Sequence, residues 1–98
     1  MSGRNLTATA GAPVAASDPI AALNPRVGGK HVFYRSADGR LHELFWRIGE
    51  SSVAYADLNA AYRGPLAADR PTFFVGLSGP AQHVAYRAVN GHIIELLW

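Results

Sequence analysis

The chain contains the sequence HVFYRSADGRLHELFW at His31–Trp46 and repeats it as HVAYRAVNGHIIELLW at His83–Trp98. The two stretches lie 52 positions apart, and the match extends without a gap toward the N-terminus, so that residues 5–46 align with residues 57–98. Fourteen of these 42 aligned positions are identical. Self-similarity at a fixed period of this length indicates one supersecondary unit present twice.

Each repeat is made of short runs rich in β-branched and aromatic residues, bounded by Gly, Pro and Asn, which is typical of strands. Asp38-Gly39 and Asn90-Gly91 predict two-residue hairpin turns, because a type I′ turn needs positive φ at both central positions. The predicted strands are Ile20–Asn24, His31–Ser36, Leu41–Trp46 and Ser52–Leu58 in the first repeat, and Thr72–Gly76, His83–Ala88 and Ile93–Trp98 in the second.

A two-residue turn in the first hairpin would place Tyr34 opposite Glu43 and His31 opposite Trp46. Large apolar side chains then appear on both faces of the sheet, which indicates a sheet buried between neighbours on each side. The Ala-rich tracts, residues 8–16 and 60–68, contain Pro and Gly and are predicted to be connecting loops without helix.

A repeat of four short antiparallel strands with two apolar faces predicts an all-β fold of two four-stranded propeller blades within one unit, residues 1–98. A β-sandwich of seven or eight strands is the alternative. The second repeat ends after its third strand. Residues 1–8 align with the segment around the fourth strand of the first repeat, and they are predicted to close the last blade of a neighbouring subunit as its outer strand.

Two blades cannot close a ring and would leave apolar sheet faces in water, so the chain is expected to associate with copies of itself. Because propellers contain about four to eight blades, a two-blade chain gives even totals. A six-bladed homotrimer is the preferred prediction, and eight blades from four chains is the alternative.

The composition limits the kinds of partner that this chain is expected to bind. The 98 residues are 49% hydrophobic and 16% charged, with a net charge of +2, and the arginines are scattered, so no basic stripe for nucleic acid is present. There is no Cys, and no apolar run approaches the ~18 residues that span a bilayer. We expect a soluble chain without signal peptide or membrane insertion, and its location stays open.

No enzymatic activity is expected. Glu43 and Glu95 are carboxylates that occur in both repeats. Equivalent residues on adjacent blades, however, lie farther apart than the two catalytic carboxylates of a glycosidase. No Ser/His/Asp arrangement is present. His31 and His83 are repeated without a second ligand at metal-site spacing, so we predict packed histidines with backbone partners, no metal and no cofactor.

The remaining repeated residues with polar or aromatic chemistry favour a carbohydrate site. A pyranose stacks its C–H face on an aromatic ring, and a carboxylate or guanidinium binds its neighbouring hydroxyls. The alternative is a set that packs one blade against the next, although an ionised Glu in an apolar sheet needs a partner. The candidate sugar-binding residues are Tyr34, Arg35, Glu43 and Trp46 with their repeats Tyr86, Arg87, Glu95 and Trp98.

The block HVxYRxx[DN]Gx[LI]xELxW resembles the repeats of bacterial propeller lectins of the tectonin-like and fucose-binding kinds. The resemblance implies two-blade chains that assemble as trimers and hold sugars between blades with an Arg, a Glu and an aromatic residue. The family Glu falls on Glu43 and Glu95, and the strand-ending Trp on Trp46 and Trp98. The family Arg falls on Val32 and Val84, so that contact is missing here.

These observations predict a non-enzymatic lectin with several equivalent interblade sites, which binds glycans multivalently. Fucose-like, galactose-like or methylated sugars are the expected ligands. The alternative function is a purely structural or protein-interaction propeller, as a fragment or as a designed or ancestral protein without a ligand.

Overall fold

The computed structural model describes residues 3–26 and 28–98. Within these residues all seven predicted strands are present, each within two residues of its predicted ends, which confirms the all-β class. The elements are α1 (Leu6–Ala10), β1 (Ile20–Asn24), β2 (Gly29–Arg35), β3 (Leu41–Arg47), β4 (Ala54–Asp57), α2 (Leu58–Tyr62), β5 (Thr72–Val75), β6 (Gln82–Arg87) and β7 (Ile93–Leu97).

The strands form two antiparallel meanders, one for each repeat. The first sheet has the order β1-β2-β3-β4 and the second has the order β5-β6-β7. Sequential pairing of this kind needs only short hairpin connections. In the second sheet β7 is an edge strand, since no fourth strand pairs with it among the described residues.

The predicted hairpin register is wrong by one residue. His31 lies opposite Phe45 and Phe33 lies opposite Glu43, because the loop has three residues rather than two. The backbone N–H of Gly39 donates to Ser36 at 3.0 Å, and Gly39 has φ +88°, as in a type I turn followed by a left-handed glycine. Side chains alternate along a strand, so this single residue moves every β3 side chain to the opposite face.

With this register each sheet has what we call a front face and a back face. The front faces carry His31, Phe33, Leu41, Glu43 and Phe45 in the first sheet, and His83, Ala85, Ile93, Glu95 and Leu97 in the second. The back faces carry Val32, Tyr34, His42, Leu44 and Trp46 in the first, and Val84, Tyr86, Ile94 and Leu96 in the second, with Trp98 directly after β7.

The front face of the first sheet packs against the back face of the second. Phe33 and Leu41 form one core with Val84, Tyr86 and Leu96, and Trp98 packs against its edge. The first strands of the two sheets, β1 and β5, also contact each other. Within the described residues no other sheet packs against the front face of the second sheet, whereas the back face of the first is covered in part by α1.

The prediction of a chain without helices is wrong, because α1 and α2 precede the two sheets. Each consists of one turn capped by an equivalent side chain: Asn5 accepts from the N–H of Ala8 at 3.0 Å, and Asp57 accepts from the N–H of Ala60 at 3.1 Å. Such caps satisfy the free N–H groups of the first turn. The prolines of both tracts lie beyond the helix ends. Neither helix is long and apolar enough to cross a membrane.

Residues 1–8 were predicted as an outer strand, and the described part of this segment does not form one within its own chain. Leu6 begins α1 and packs on the back face of the first sheet beside Tyr34 and Leu44. The 52-residue offset aligns β4 with residues 2–5, which precede the helix. Met1 and Ser2 lie outside the described residues, and the pairing of this segment with a neighbouring chain stays a prediction.

Candidate functional site

A cleft of about 700 Å³ opens between the two sheets at the end where β3 and β7 finish. Its walls come from the front face of the first sheet, the β3–β4 connection and the start of β6. This volume falls within the range of about 300–1,000 Å³ that is common for clefts that bind small molecules. The lining residues that bear on its chemistry are His31, Glu43, Phe45, Gln82 and Trp98.

A buried histidine holds the carboxylate of the cleft. Nδ1 of His31 lies 2.5 Å from Oε2 of Glu43, and both side chains are about 95% buried. A carboxylate at this depth needs a hydrogen-bonding partner. His31 supplies it, so the partner is a side chain and not the backbone group expected for a packed histidine.

Aromatic rings fix the orientation of this imidazole. The rings of Phe33, Phe45 and Phe73 each lie stacked about 6 Å from that of His31. Nε2 of His31 is buried and has no hydrogen-bond partner among the described residues. The hydrogen bond that the imidazole makes within these residues is the one to Glu43.

Glu43 lines the cleft and has hydrogen-bonding capacity that His31 does not use. Within the described residues its side chain makes one hydrogen bond, through Oε2 to His31. A carboxylate offers about four acceptor positions. The second oxygen is therefore available to the hydroxyl groups of a molecule in the cleft.

Trp98 lines the same cleft as Glu43 and comes from the second sheet. Its ring stacks on Tyr62 at 4.8 Å and 19°, and it meets Phe33 edge-on. Burial, and to a smaller extent the charge of Glu43, raise the pKa of Tyr62. Tyr62 has no counterpart in the first repeat, where Ala10 stands, so repeat matching did not single it out.

The repeat equivalents of Glu43 and Trp98, which are Glu95 and Trp46, do not line one common site within the described part of the chain. Glu95 is about half exposed on the front face of the second sheet, 3.5 Å from Nδ1 of His83. Trp46 borders the main cleft, but its side chain belongs to the back face of the first sheet, where it also lines a smaller cavity of about 240 Å³. The structure thus brings together Glu43 and Trp98, while Glu95 and Trp46 lie apart.

The two predicted tyrosines are not in the cleft. Tyr34 donates to the carbonyl of Pro13 at 2.5 Å, and Tyr86 donates to that of Pro65 at 2.8 Å. Burial is the main cause that raises the pKa of Tyr34 to about 12, so its hydroxyl stays protonated and donates throughout the physiological range. Each tyrosine ties the Pro-containing tract of its repeat to the sheet.

The two predicted arginines are also outside the cleft. Arg35 donates through Nε to the carbonyl of Ala67 at 2.8 Å, which joins the first sheet to the tract that leads into the second. Arg87 instead forms two hydrogen bonds with Asp69, at 2.8 and 2.9 Å. These bonds lower the pKa of Asp69 and raise that of Arg87.

A further polar cluster lies in the first repeat alone. The hydroxyl of Ser36 donates to Asp38 at 2.5 Å and lies 2.7 Å from Nε2 of His42. Nδ1 of His42 is buried and has no partner in the described part of the chain, so no acid there orients the imidazole as a catalytic relay requires. Among the described residues no group of three or more His, Cys, Asp and Glu side chains is placed to hold a metal ion.

No protein-family model, curated protein or solved structure matches this chain. Any function must therefore be inferred from the side chains and the cleft themselves.

Proposed function

We propose that this protein is a non-enzymatic lectin of the propeller type, which binds a sugar in the cleft between successive blades. The observation that carries the proposal is that Glu43 and Trp98 line one cleft. Both positions are identical in the two repeats, and they come from different sheets. A site of this kind recurs at every junction between blades.

The chemistry of the cleft suits a neutral sugar. The free oxygen of Glu43 accepts hydrogen bonds from one or two adjacent hydroxyls, and the ring of Trp98 offers an apolar surface to the C–H face of a pyranose. Phe45 extends that apolar surface, and Gln82 adds an amide that both donates and accepts. Fucose-like, galactose-like and methylated sugars combine such a C–H or methyl face with neighbouring hydroxyls.

The second site of the chain requires another copy. Glu43 is buried where the second sheet covers it, whereas Glu95 faces water. Leu41 is 0% exposed inside the same interface, and its repeat Ile93 is 74% exposed. If the back face of a second copy covers the front face that carries Glu95, it brings Trp46 of that copy opposite this carboxylate.

Repetition of that contact closes a ring. Three chains give six blades, which is the preferred number, and four chains give eight. Residues 2–5 of a neighbouring copy would then pair with the free edge of β7, as β4 pairs with β3. Ring assembly would strengthen weak single sites by roughly 10²–10⁴ on a surface that presents glycans at the right spacing.

A purely structural propeller is the second candidate, and the contacts of the same residues favour it. Trp98 packs on Tyr62 and Phe33, and Glu43 pairs with His31, so both are part of the interface between the sheets. In that case their repetition would reflect packing alone.

A glycan array that includes methylated sugars, followed by the variants Glu43→Gln and Glu95→Gln, separates the two candidates. For a lectin we expect array binding that both variants reduce at least tenfold while the oligomer stays intact. The exposed Asp18→Asn is the matched control and should bind normally. Absence of wild-type binding across the array would overturn the lectin, and loss of assembly in Glu43→Gln would favour the packing role.

A further inference from the structure

Arg26 joins the two sheets through three backbone carbonyls. Its Nη1 donates to Gly76 at 2.6 Å and lies 3.4 Å from the carbonyl oxygen of Pro80, while its Nη2 donates to Gly79 at 3.0 Å. A guanidinium presents its donors in a fixed fork, so several simultaneous bonds hold the bound segment in one conformation. Because Arg26 follows β1, this fork reaches from the first repeat to the loop between β5 and β6.

The loop held by Arg26 forms one wall of the cleft. Gly79, Pro80 and the two residues after them line the cleft, whereas Arg26 itself does not. The loop is tightly folded, since a Cβ atom on Gly76 would lie 2.3 Å from the carbonyl oxygen of Pro80. Arg26 therefore acts on the cleft through the backbone of residues 76–80.

Asn24 supports the same arrangement. Its side-chain oxygen accepts from the N–H of Arg26 at 3.1 Å, and its amide nitrogen lies 3.4 Å from the side-chain oxygen of Gln82, a lining residue. Asn24 and Gln82 are both buried. The turn after β1 is thus connected to the wall of the cleft at two points.

The second repeat cannot make this connection. By the 52-residue offset, Gly76 and Ser78 stand where the first repeat has Asn24 and Arg26. Neither provides a cationic fork or a long amide side chain. A cleft formed between the second sheet and another copy therefore lacks the support that the cleft within the chain has.

We infer that Arg26 is a positioning residue that preorganises the cleft within each chain, and that the assembled protein consequently has two unequal classes of sugar site. The inference rests on the proposed function. A wall already held in its bound conformation loses less entropy when a ligand binds, which lowers the dissociation constant. From the usual cost of ordering one or two side chains, we expect the classes to differ by about 3- to 10-fold.

Hydrogen exchange tests the positioning role without a ligand. In Arg26→Ala we expect the amides of residues 76–82 to exchange faster than in the wild type, while those of β2 and β3 are unchanged. Arg26→Lys should restore protection only in part, because an ammonium lacks the planar fork. The exposed Arg70→Ala is the control. Unchanged exchange at residues 76–82 in Arg26→Ala would overturn the inference.

Calorimetric titration with methyl α-L-fucoside and methyl β-D-galactoside tests the two classes. We expect the wild type to show a tighter and a weaker class, Arg26→Ala to weaken the tighter one alone by about 3- to 10-fold, and Ser78→Arg to tighten the weaker one. A single class that neither variant alters would overturn the inequality of the sites. If neither sugar binds while the array also stays silent, the proposed function fails, and hydrogen exchange still decides the role of Arg26.

Discussion

The imidazole of His42 is buried on the back face of the first sheet, and one of its nitrogens has no hydrogen-bond partner in residues 3–26 and 28–98. Desolvation is the main cause that lowers its pKa, and the nearby carboxylates of Asp57 and Asp38 oppose the shift only in part. The second repeat has Ile94 at this position. An apolar side chain therefore fits the equivalent site in the same fold.

This residue makes stability depend on pH. Since its pKa is lower in the folded state, the unfolded chain takes up a proton first as the pH falls below about 6.5, and stability is lost from there down to the folded pKa. We expect urea unfolding at pH 7.5 and pH 5 to show a smaller difference for His42→Ile than for the wild type. His92→Gln, at an exposed histidine, is the control, and an equal difference in His42→Ile would count against this assignment.

Arg63 adopts a conformation that suits glycine. It ends α2 with φ 56°, the one positive φ of a non-glycine residue among those described, while its repeat Gly11 ends α1 with φ 67°. The left-handed conformation costs an L-residue about 1–2 kcal/mol. We expect Arg63→Gly to raise the free energy of unfolding by about 1 kcal/mol, and Gly11→Ala to lower it by a similar amount. Denaturant melts that show no gain for Arg63→Gly would contradict this reasoning.

At the scale of elements, each helix and the tract after it are fastened to their sheet by a tyrosine. Tyr34 and Tyr86 bond the carbonyls of Pro13 and Pro65, and the two bonds span the same 21 positions in each repeat. We expect Tyr34→Phe and Tyr86→Phe each to lower the free energy of unfolding by about 1 kcal/mol. The ring stays packed in both variants, so a denaturant melt reports mainly the lost bond. Tyr55→Phe, on a partly exposed ring, should change little.

The strands could be predicted from the sequence because Gly, Pro, Asp and Asn separate β-rich runs, but their register could not. Asp38-Gly39 satisfies a two-residue turn and equally the final positions of a three-residue loop, in which Asp38 accepts from the N–H of Arg40. Because of this ambiguity, the predicted register placed Glu43 on the wrong face of the sheet and missed its pairing with His31. The helices were missed because one turn is too short to show a helical period.

The candidate site could be predicted only in part, because the prediction relied on the residues that the two repeats share. Repetition singled out Glu43 and Trp98, which occupy positions shared by both units and line one cleft in the structure, but it did not pair them with each other. It also singled out Tyr34 and Arg35, which serve the connections between elements. Arg26 is not repeated, so its role can be seen only in the contacts between the sheets.

For the whole molecule, the open faces predict association. Ile93, at 74% exposed, stands where Leu41 is buried in the interface between the sheets. We expect native mass spectrometry to find a trimer, or a tetramer, for the wild type and a monomer for Ile93→Arg, because a buried unpaired charge is costly. Ile48→Arg is the matched control: Ile48 is 71% exposed in the β3–β4 connection, outside the proposed contact. A monomeric wild type would exclude the ring.

The two open faces differ from each other, so every junction joins unlike surfaces, and a copy with one damaged face still binds through the other. In mixtures, Ile93→Arg copies should therefore enter assemblies and stop their growth rather than stay inert. When half of the copies carry the change, the share of fully closed rings is expected to fall to about one eighth for three subunits and about one sixteenth for four. The decrease in the share of closed rings with the fraction of Ile93→Arg copies would therefore give the number of subunits without a measurement of the mass of the ring.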